Sequence, residues 1–149
     1  VDSLMMLGIG HDNYDAQVQA IQKLVAFAHE HHCHVHLIIH PKKPRDETEA
    51  PNMYDIKGSS GLVDNAPNVI TVWRNKKKYD AQQDELLNGI PMDAKLISAP
   101  DTTMSIRKNR YNGWEATIPL WFREDSQQFL ESPTEYPVVY LNPNAEENF

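Results

Sequence analysis

The order of apolar segments in this sequence predicts an α/β domain, with parallel strands in front and an antiparallel β-hairpin behind. Three observations carry that prediction. A stripe of apolar residues at helical spacing lies between two short apolar runs, a further β-branched run follows at NVITVWR, and two strand-like runs meet at Asn112 and Gly113. Asn-Gly supplies the positive φ angles of a turn.

Each element has its own warrant. VDSLMMLGI is apolar after an Asp and a Ser, and it begins without a turn or cap, as a strand cut at its start would. Asp12, Asn13 and Asp15 offer N-caps, and Val18, Ile21, Leu24, Val25 and Ala28 recur at steps of three and four. That spacing predicts an amphipathic helix ending near His31 or His32. Residues 34–40 then alternate, with Val35, Leu37 and Ile39 on one face and His36, Ile38 and His40 on the other, and Pro41 stops the strand.

Residues 42–52, KKPRDETEAPN, form a charged loop, and GSSGLVDNA from Gly58 reads as a tight turn feeding a short helix. NVITVWR, residues 68–74, is the next strand, and residues 75–100 are a polar insertion with a helical turn near 82–87. TTMSIRKNR and WEATIPLWF complete the pattern as the hairpin. The sequence divides into a domain at 1–131 and an acidic, loosely ordered tail at 132–149.

At 149 residues the chain fits one domain with a sizeable core. No apolar run is long enough to span a bilayer, Cys33 is the only cysteine, and no leader-like segment opens the sequence. These features predict a cytoplasmic protein without disulfides or membrane contact. The net charge of −7 opposes nucleic-acid binding at first sight, but it is unevenly spread. Between Lys42 and Lys78 eight Lys and Arg face five acids, whereas from Tyr111 onward seven acids accompany only Arg123. The basic excess therefore lies in loops between apolar strands, although such a run is also what a solvated face looks like.

HEHHCHVHLIIH, residues 29–40, holds six of the seven histidines and invites a metal reading. Position in the elements argues against it. His29, His31 and His32 end a helix, where partly charged imidazole is favoured by the macrodipole. His34 and His36 precede the apolar core of a strand, whereas ligands in parallel sheets bind at carboxyl ends. No second cysteine or carboxylate-rich motif completes a ligand set, so no zinc is expected. His40 alone stands at a carboxyl end.

The ordered set VDSLMM, amphipathic helix, HLIIHPKKP, DIKGSSGLVDNA, NVITVWRN and RKNRYNG resembles the second half of the RecA-like motor domain of DnaB-type replicative helicases. It resembles phage primase-helicases and Twinkle-like helicases especially, and the resemblance spans residues 1 to about 131. It implies a partial RecA-like P-loop ATPase core that starts at the Walker B strand. Asp2 matches the Walker B carboxylate, which holds Mg²⁺ through water when ATP is bound. His40 matches the polar residue that senses the γ-phosphate. Lys42 and Lys43 open one DNA-facing loop, and Lys57, Gly58 and Ser59 begin a second, suited to phosphate contacts that ignore base sequence.

In the same family, Arg74 matches an arginine near the nucleotide base, and Phe122 or Trp121 matches an aromatic that stacks on it. Lys108 and Arg110 match the lysine and arginine finger that reach a neighbouring subunit's γ-phosphate; a basic hairpin tip is the plainer alternative. The implied partners are single-stranded DNA and further copies in a ring, a hexamer in this family, with ATP or another NTP and Mg²⁺ as cofactors.

Two departures qualify this. Val63 and Asp64 stand where relatives carry Arg-Gln, and the sequence contains no GxxxxGK[ST] loop. The expectation is a fragment of a phage-like or prophage-like helicase that is inactive by itself. The alternatives are a RecA-like ATPase, loader or degenerate regulator that does not unwind DNA, and a metal-dependent hydrolase using the histidines.

Overall fold

A computed structural model describes residues 1–10, 12–42 and 48–140 of the chain. A 3₁₀ turn at Leu4–Leu7 precedes helices α1 (Tyr14–Glu30) and α2 (Ser60–Asn65) and strand β1 (Asn68–Arg74). Helices α3 (Lys76–Asn88) and α4 (Ala94–Ser98) follow, then strands β2 (Thr102–Asn109), β3 (Ala116–Arg123) and β4 (Gln128–Leu130). The class is α/β, as the alternation of periods predicts.

The strand direction is not as predicted. The four strands form one sheet in the order β1-β2-β3-β4, and every neighbouring pair is antiparallel. The reason lies in the segment between β1 and β2. Asn75 N donates to Asp101 O at 2.8 Å, so the α3–α4 excursion returns to the point where it left the sheet. The chain then runs back along β1 as the return arm of a long hairpin, where a parallel neighbour needs a crossover to the far end.

The two apolar runs expected as front strands are also reduced. Residues 1–4 and 36–38 meet at one isolated parallel bridge, Asp2 with Ile38. Ile38 N donates to Val1 O at 2.9 Å and Leu4 N to Ile38 O at 3.1 Å. The 3₁₀ turn then lifts the first run away. Even so, Val35, Leu37 and Ile39 are half-buried while His34, His36, Ile38 and His40 are exposed, so the predicted alternation survives without an extended ladder.

Helix α1 follows its sequence signals closely. Asn13 caps it by accepting from Ala16 N at 3.1 Å, and the predicted stripe turns inward, with Ile21 buried and Val18, Leu24, Val25 and Ala28 half-buried. Leu4, Ile21 and Leu62 form the core cluster, against which Val25, Leu37, Ile39, Ile56 and Ala66 pack. That core is smaller than the length predicts: among the described residues only Leu4, Ile21, Leu62, Val63 and Leu130 are buried hydrophobics. Much apolar surface instead lines a groove of about 960 Å³ between residues 34–41 and β1, with α1 beneath.

Ile38 directs its amide and carbonyl toward residues 1–4, so the alternation of a strand turns those of Leu37 and Ile39 the other way. Among the described residues strand β1 takes the outer place in the sheet, beside β2, and its Ile70 and Val72 side chains, which share one face, are 51% and 66% accessible. The groove therefore runs between residues 34–41 and the outer strand of the sheet.

Candidate functional site

The basic loops begin from one short ribbon. Pro41 bridges Ile56 antiparallel, Lys42 N donates to Asp55 O at 2.6 Å, and Lys57 N donates to His40 O at 2.9 Å. This pairing brings His40, Lys42 and Lys57 together on the wall of a cavity of about 530 Å³ that Ser3 and Pro41 also line. The side chains of His40, Lys42 and Lys57 are exposed, so the cavity presents an imidazole and two ammonium groups to solvent. Lys43 lies outside the described residues.

Gly58 and Ser59 seat the next helix. Gly58 adopts φ +151°, which side chains rarely take, and a Cβ there would fall 2.9 Å from Gln17 Oε1 and 3.0 Å from Leu62 Cδ1, displacing the ends of those side chains. Ser59 N donates to Gln17 Oε1 at 2.9 Å while Ser59 Oγ accepts from Gly61 N at 3.1 Å, capping α2. Gln17 is 2% exposed. A buried polar residue of α1 thus fixes the end of the second basic loop.

At the other end of α2 stand the two hairpin cations. Lys108 Nζ donates to Val63 O at 2.7 Å and to Asp64 O at 2.9 Å, and an Arg110 guanidinium nitrogen donates to Asp64 O as well. Cations suit the last carbonyls of a helix, which have no partner within it. Partial desolvation, and then repulsion from Arg110, lower the Lys108 pKa from its ordinary 10.5, while Asp64 acts in the opposite sense. Val63 is buried, and the Asp64 carboxyl accepts from the Tyr54 hydroxyl at 3.4 Å. Both side chains at the departure from Arg-Gln are thereby turned to local packing.

The hairpin is wider than Asn112 and Gly113 suggest. Pairing of β2 with β3 stops at Ile106 and Ala116, while Lys108 and Asn109 pair with Val69 and Asn68 of β1. Arg110 N then donates to Pro67 O at 3.0 Å. The tip is therefore drawn from its own partner strand to the turn between α2 and β1.

Arg74 and Phe122 lie at the opposite end of the sheet. Arg74 pairs with Thr102 at the start of β2, which in turn pairs with Leu120 on β3, two residues before Phe122. The Arg74 guanidinium sits 3.8 Å from the centroid of the Tyr79 ring on α3, a cation–π contact that orients its plane. Phe122 is half-buried, with its ring 4.9 Å from Phe129. Trp121 is also half-buried, and its indole nitrogen is buried without a partner among the described residues.

One residue escaped the sequence reading. Lys78, in a run of three lysines, is 5% exposed: Nζ donates to Ala99 O at 2.6 Å and meets Asp101 Oδ1 at 2.8 Å. Asp101 Oδ2 accepts from Phe122 N at 2.9 Å, so the pair ties α3 to the sheet beneath Arg74 and Phe122. The polar insertion is correspondingly more ordered than a single helical turn, for α3 runs thirteen residues from an Asn75 cap to Gly89, whose φ of +66° ends it. A lysine beside two others gives no hint of burial; the only local signal was Asn75 preceding a helix-compatible stretch.

The remaining candidates are dispersed. Asp2 is exposed at the parallel bridge, and among the described residues no three His, Cys, Asp or Glu converge as metal ligands. A lone exposed carboxylate fits an outer-sphere contact to a cation held elsewhere, which is the role the resemblance implies for it. His34 and His36, expected at a buried or noncatalytic strand end, are exposed, with rings 4.4 Å apart.

No family model matches the chain. Similarity to a curated protein is found with the Twinkle homolog protein, chloroplastic/mitochondrial, of Arabidopsis thaliana, at 34% identity over 73 residues. The match takes in 48% of this chain and 10% of that protein, so the chain matches about a tenth of its relative's length. This similarity is consistent with a relationship to the helicase family. Among the described residues no helix is long and apolar enough to cross a membrane.

Proposed function

We propose that the chain is part of a RecA-like motor of DnaB type, in which a ring of copies, hexameric in this family, translocates single-stranded DNA at the expense of ATP. One observation carries the reading. The residues assigned to the nucleotide base, Arg74 and Phe122, and those assigned to the γ-phosphate, Lys108 and Arg110, occupy opposite ends of one sheet. Seven residues of β1 separate them by roughly 20 Å. Two sets that far apart suit two different nucleotides, each lying between neighbouring copies. The groove between residues 34–41 and β1 also supports the reading, because it lies at the outer strand of the sheet, where one more strand could add.

Bound ATP and Mg²⁺ would supply the driving free energy and the charge on which these residues act. Asp2 would reach the cation through water, Arg74 would lie flat against the base with Tyr79 behind it, and Phe122 would cover the base from β3. Lys108 and Arg110 would leave the α2 carbonyls to meet a neighbour's γ-phosphate, stabilising charge in the transition state. His40 shares a cavity with Lys42 and Lys57, so a change at the phosphate could pass directly to loops that grip the DNA backbone.

The test is Arg110→Ala in the full-length parent. ATP turnover should fall by about 10³-fold or more while ring assembly persists; unchanged turnover overturns the finger assignment. A second reading, a RecA-like ATPase or loader that does not unwind, draws on buried Val63 and on Asp64 facing Tyr54. Unwinding of forked DNA by the full-length protein separates the two.

A further inference from the structure

We propose that the buried Lys78–Asp101 pair is the positioning element of the base site, holding the Arg74 guanidinium and the Phe122 ring in register as its two walls. The inference rests on the reading of Arg74 and Phe122 as base contacts. It adds the residues that fix those two relative to each other, and makes discrimination of the base depend on them.

The sheet register puts both walls on one face. Arg74 pairs with Thr102 and Thr102 with Leu120, so these side chains leave the sheet on the same side, and Phe122, two residues on, shares it. Two strand spacings place Arg74 and Leu120 about 10 Å apart, with buried Thr102 between them. On the β2 side, however, the ladder stops short of Phe122. Strand β2 begins at Thr102, and the register carried one step further sets Pro100 opposite Phe122, where a proline has no amide to offer.

Asp101 takes over at that point. Its Oδ2 accepts from Phe122 N at 2.9 Å, and its own amide donates to Leu120 O at 2.9 Å. Its other carboxylate oxygen meets Lys78 Nζ at 2.8 Å, and the same ammonium donates to Ala99 O at 2.6 Å. Lys78 belongs to the first turn of α3, where Asn75 Oδ1 accepts from Lys78 N at 3.1 Å. The next residue is Tyr79, whose ring lies 3.8 Å from the Arg74 guanidinium. One carboxylate therefore holds β3 with one oxygen and α3 with the other. Each of these elements carries a wall: β3 supplies Phe122 itself, and α3 supplies the ring against which Arg74 rests.

Burial makes this link stiff. The Lys78 and Asp101 side chains keep only 6% and 22% of their surface, and withdrawing either charge would leave the other uncompensated. The consequence is selective. Lys108 and Arg110 stand roughly 20 Å away at the other end of β1, so loss of the pair loosens the residues that meet a base more than those that meet a phosphate.

The experiment measures steady-state hydrolysis by the full-length parent with ATP and with ribose 5-triphosphate, which carries sugar and phosphates but no base. The unaltered parent should prefer ATP in kcat/KM by about tenfold or more through the base contacts. Lys78→Met should lower that preference about tenfold, chiefly through KM for ATP. Because this change strands Asp101, the double variant Lys78→Met/Asp101→Asn is the second arm. Removing both charges together recovers stability, yet the preference should stay low, since α3 is no longer tied to the segment that holds Phe122. A pair that only braces the fold would lower turnover of both substrates in proportion. A preference retained in the double variant therefore overturns the proposal while the base-site reading stands. An unaltered parent that does not distinguish the two substrates overturns that reading, and the proposal with it.

Discussion

The two ends of the antiparallel sheet hold their cations by different means. Near Arg74, the Lys78 ammonium is buried against the Asp101 carboxylate, and the pair is neutral as a unit. At the hairpin tip, Lys108 and Arg110 rest on backbone carbonyls, which orient them without cancelling their charge. Both arrangements fix geometry. Only the second leaves a net positive field for an anion, whereas the first locks α3 and β3 beneath residues that present an aromatic ring and a planar guanidinium.

The sharpest way to break this contrast is Lys78→Met. It strands Asp101, which is only partly exposed, and should cost on the order of 3 kcal/mol in urea unfolding. A loss as small as that from an exposed lysine would show that the pair does not brace this end. Next comes Gly61→Ala, because a Cβ there would lie 2.6 Å from Val18 Cγ2 across the contact of α1 with α2. Overpacking should lower stability by about 1–3 kcal/mol. It should also shift the ¹⁵N signal of Lys108 Nζ if α2 sets that cation's position, and an unmoved signal would show that it does not.

The smallest effect concerns pH. Because the folded-state pKa of Lys108 lies below 10.5, the unfolded chain binds more protons between the two values. The stability of the parent chain relative to Lys108→Met should therefore rise as pH climbs through that window and level off above 10.5, and fall again as pH drops through the folded value. Urea midpoints of both proteins between about pH 9 and 11 measure the difference. A difference that falls with rising pH would mean that the α2 carbonyls raise the lysine pKa, reversing the balance described for that end.

Much of this was legible in the linear order. The stripe from Val18 to Ala28, the Asn13 cap, the glycine-serine start of α2, the alternation along residues 34–40 and the runs of β1, β2 and β3 all reflect local periods and caps. The resemblance named Arg74, Phe122, Lys108, Arg110, Lys57, Gly58 and Ser59 as site residues, but their placement at two ends of one sheet came only from the structure. The linear order did not reveal strand direction, which depends on where residues 75–101 return. Nor did it reveal that Lys108 pairs with β1, that Lys78 is buried, or that Tyr79 backs Arg74.

The division has a physical cause. Periodicity, capping and turn chemistry act over a few residues, so the sequence by itself determined which segments become helices and strands, and which side chains are chemically able to meet phosphate or a base. Whether a cation is neutralised by Asp101 or held by the end of α2 depends on contacts across 23 to 46 residues. Only the tertiary structure, by closing those separations, decided which lysines brace the fold and which keep a charge for a ligand.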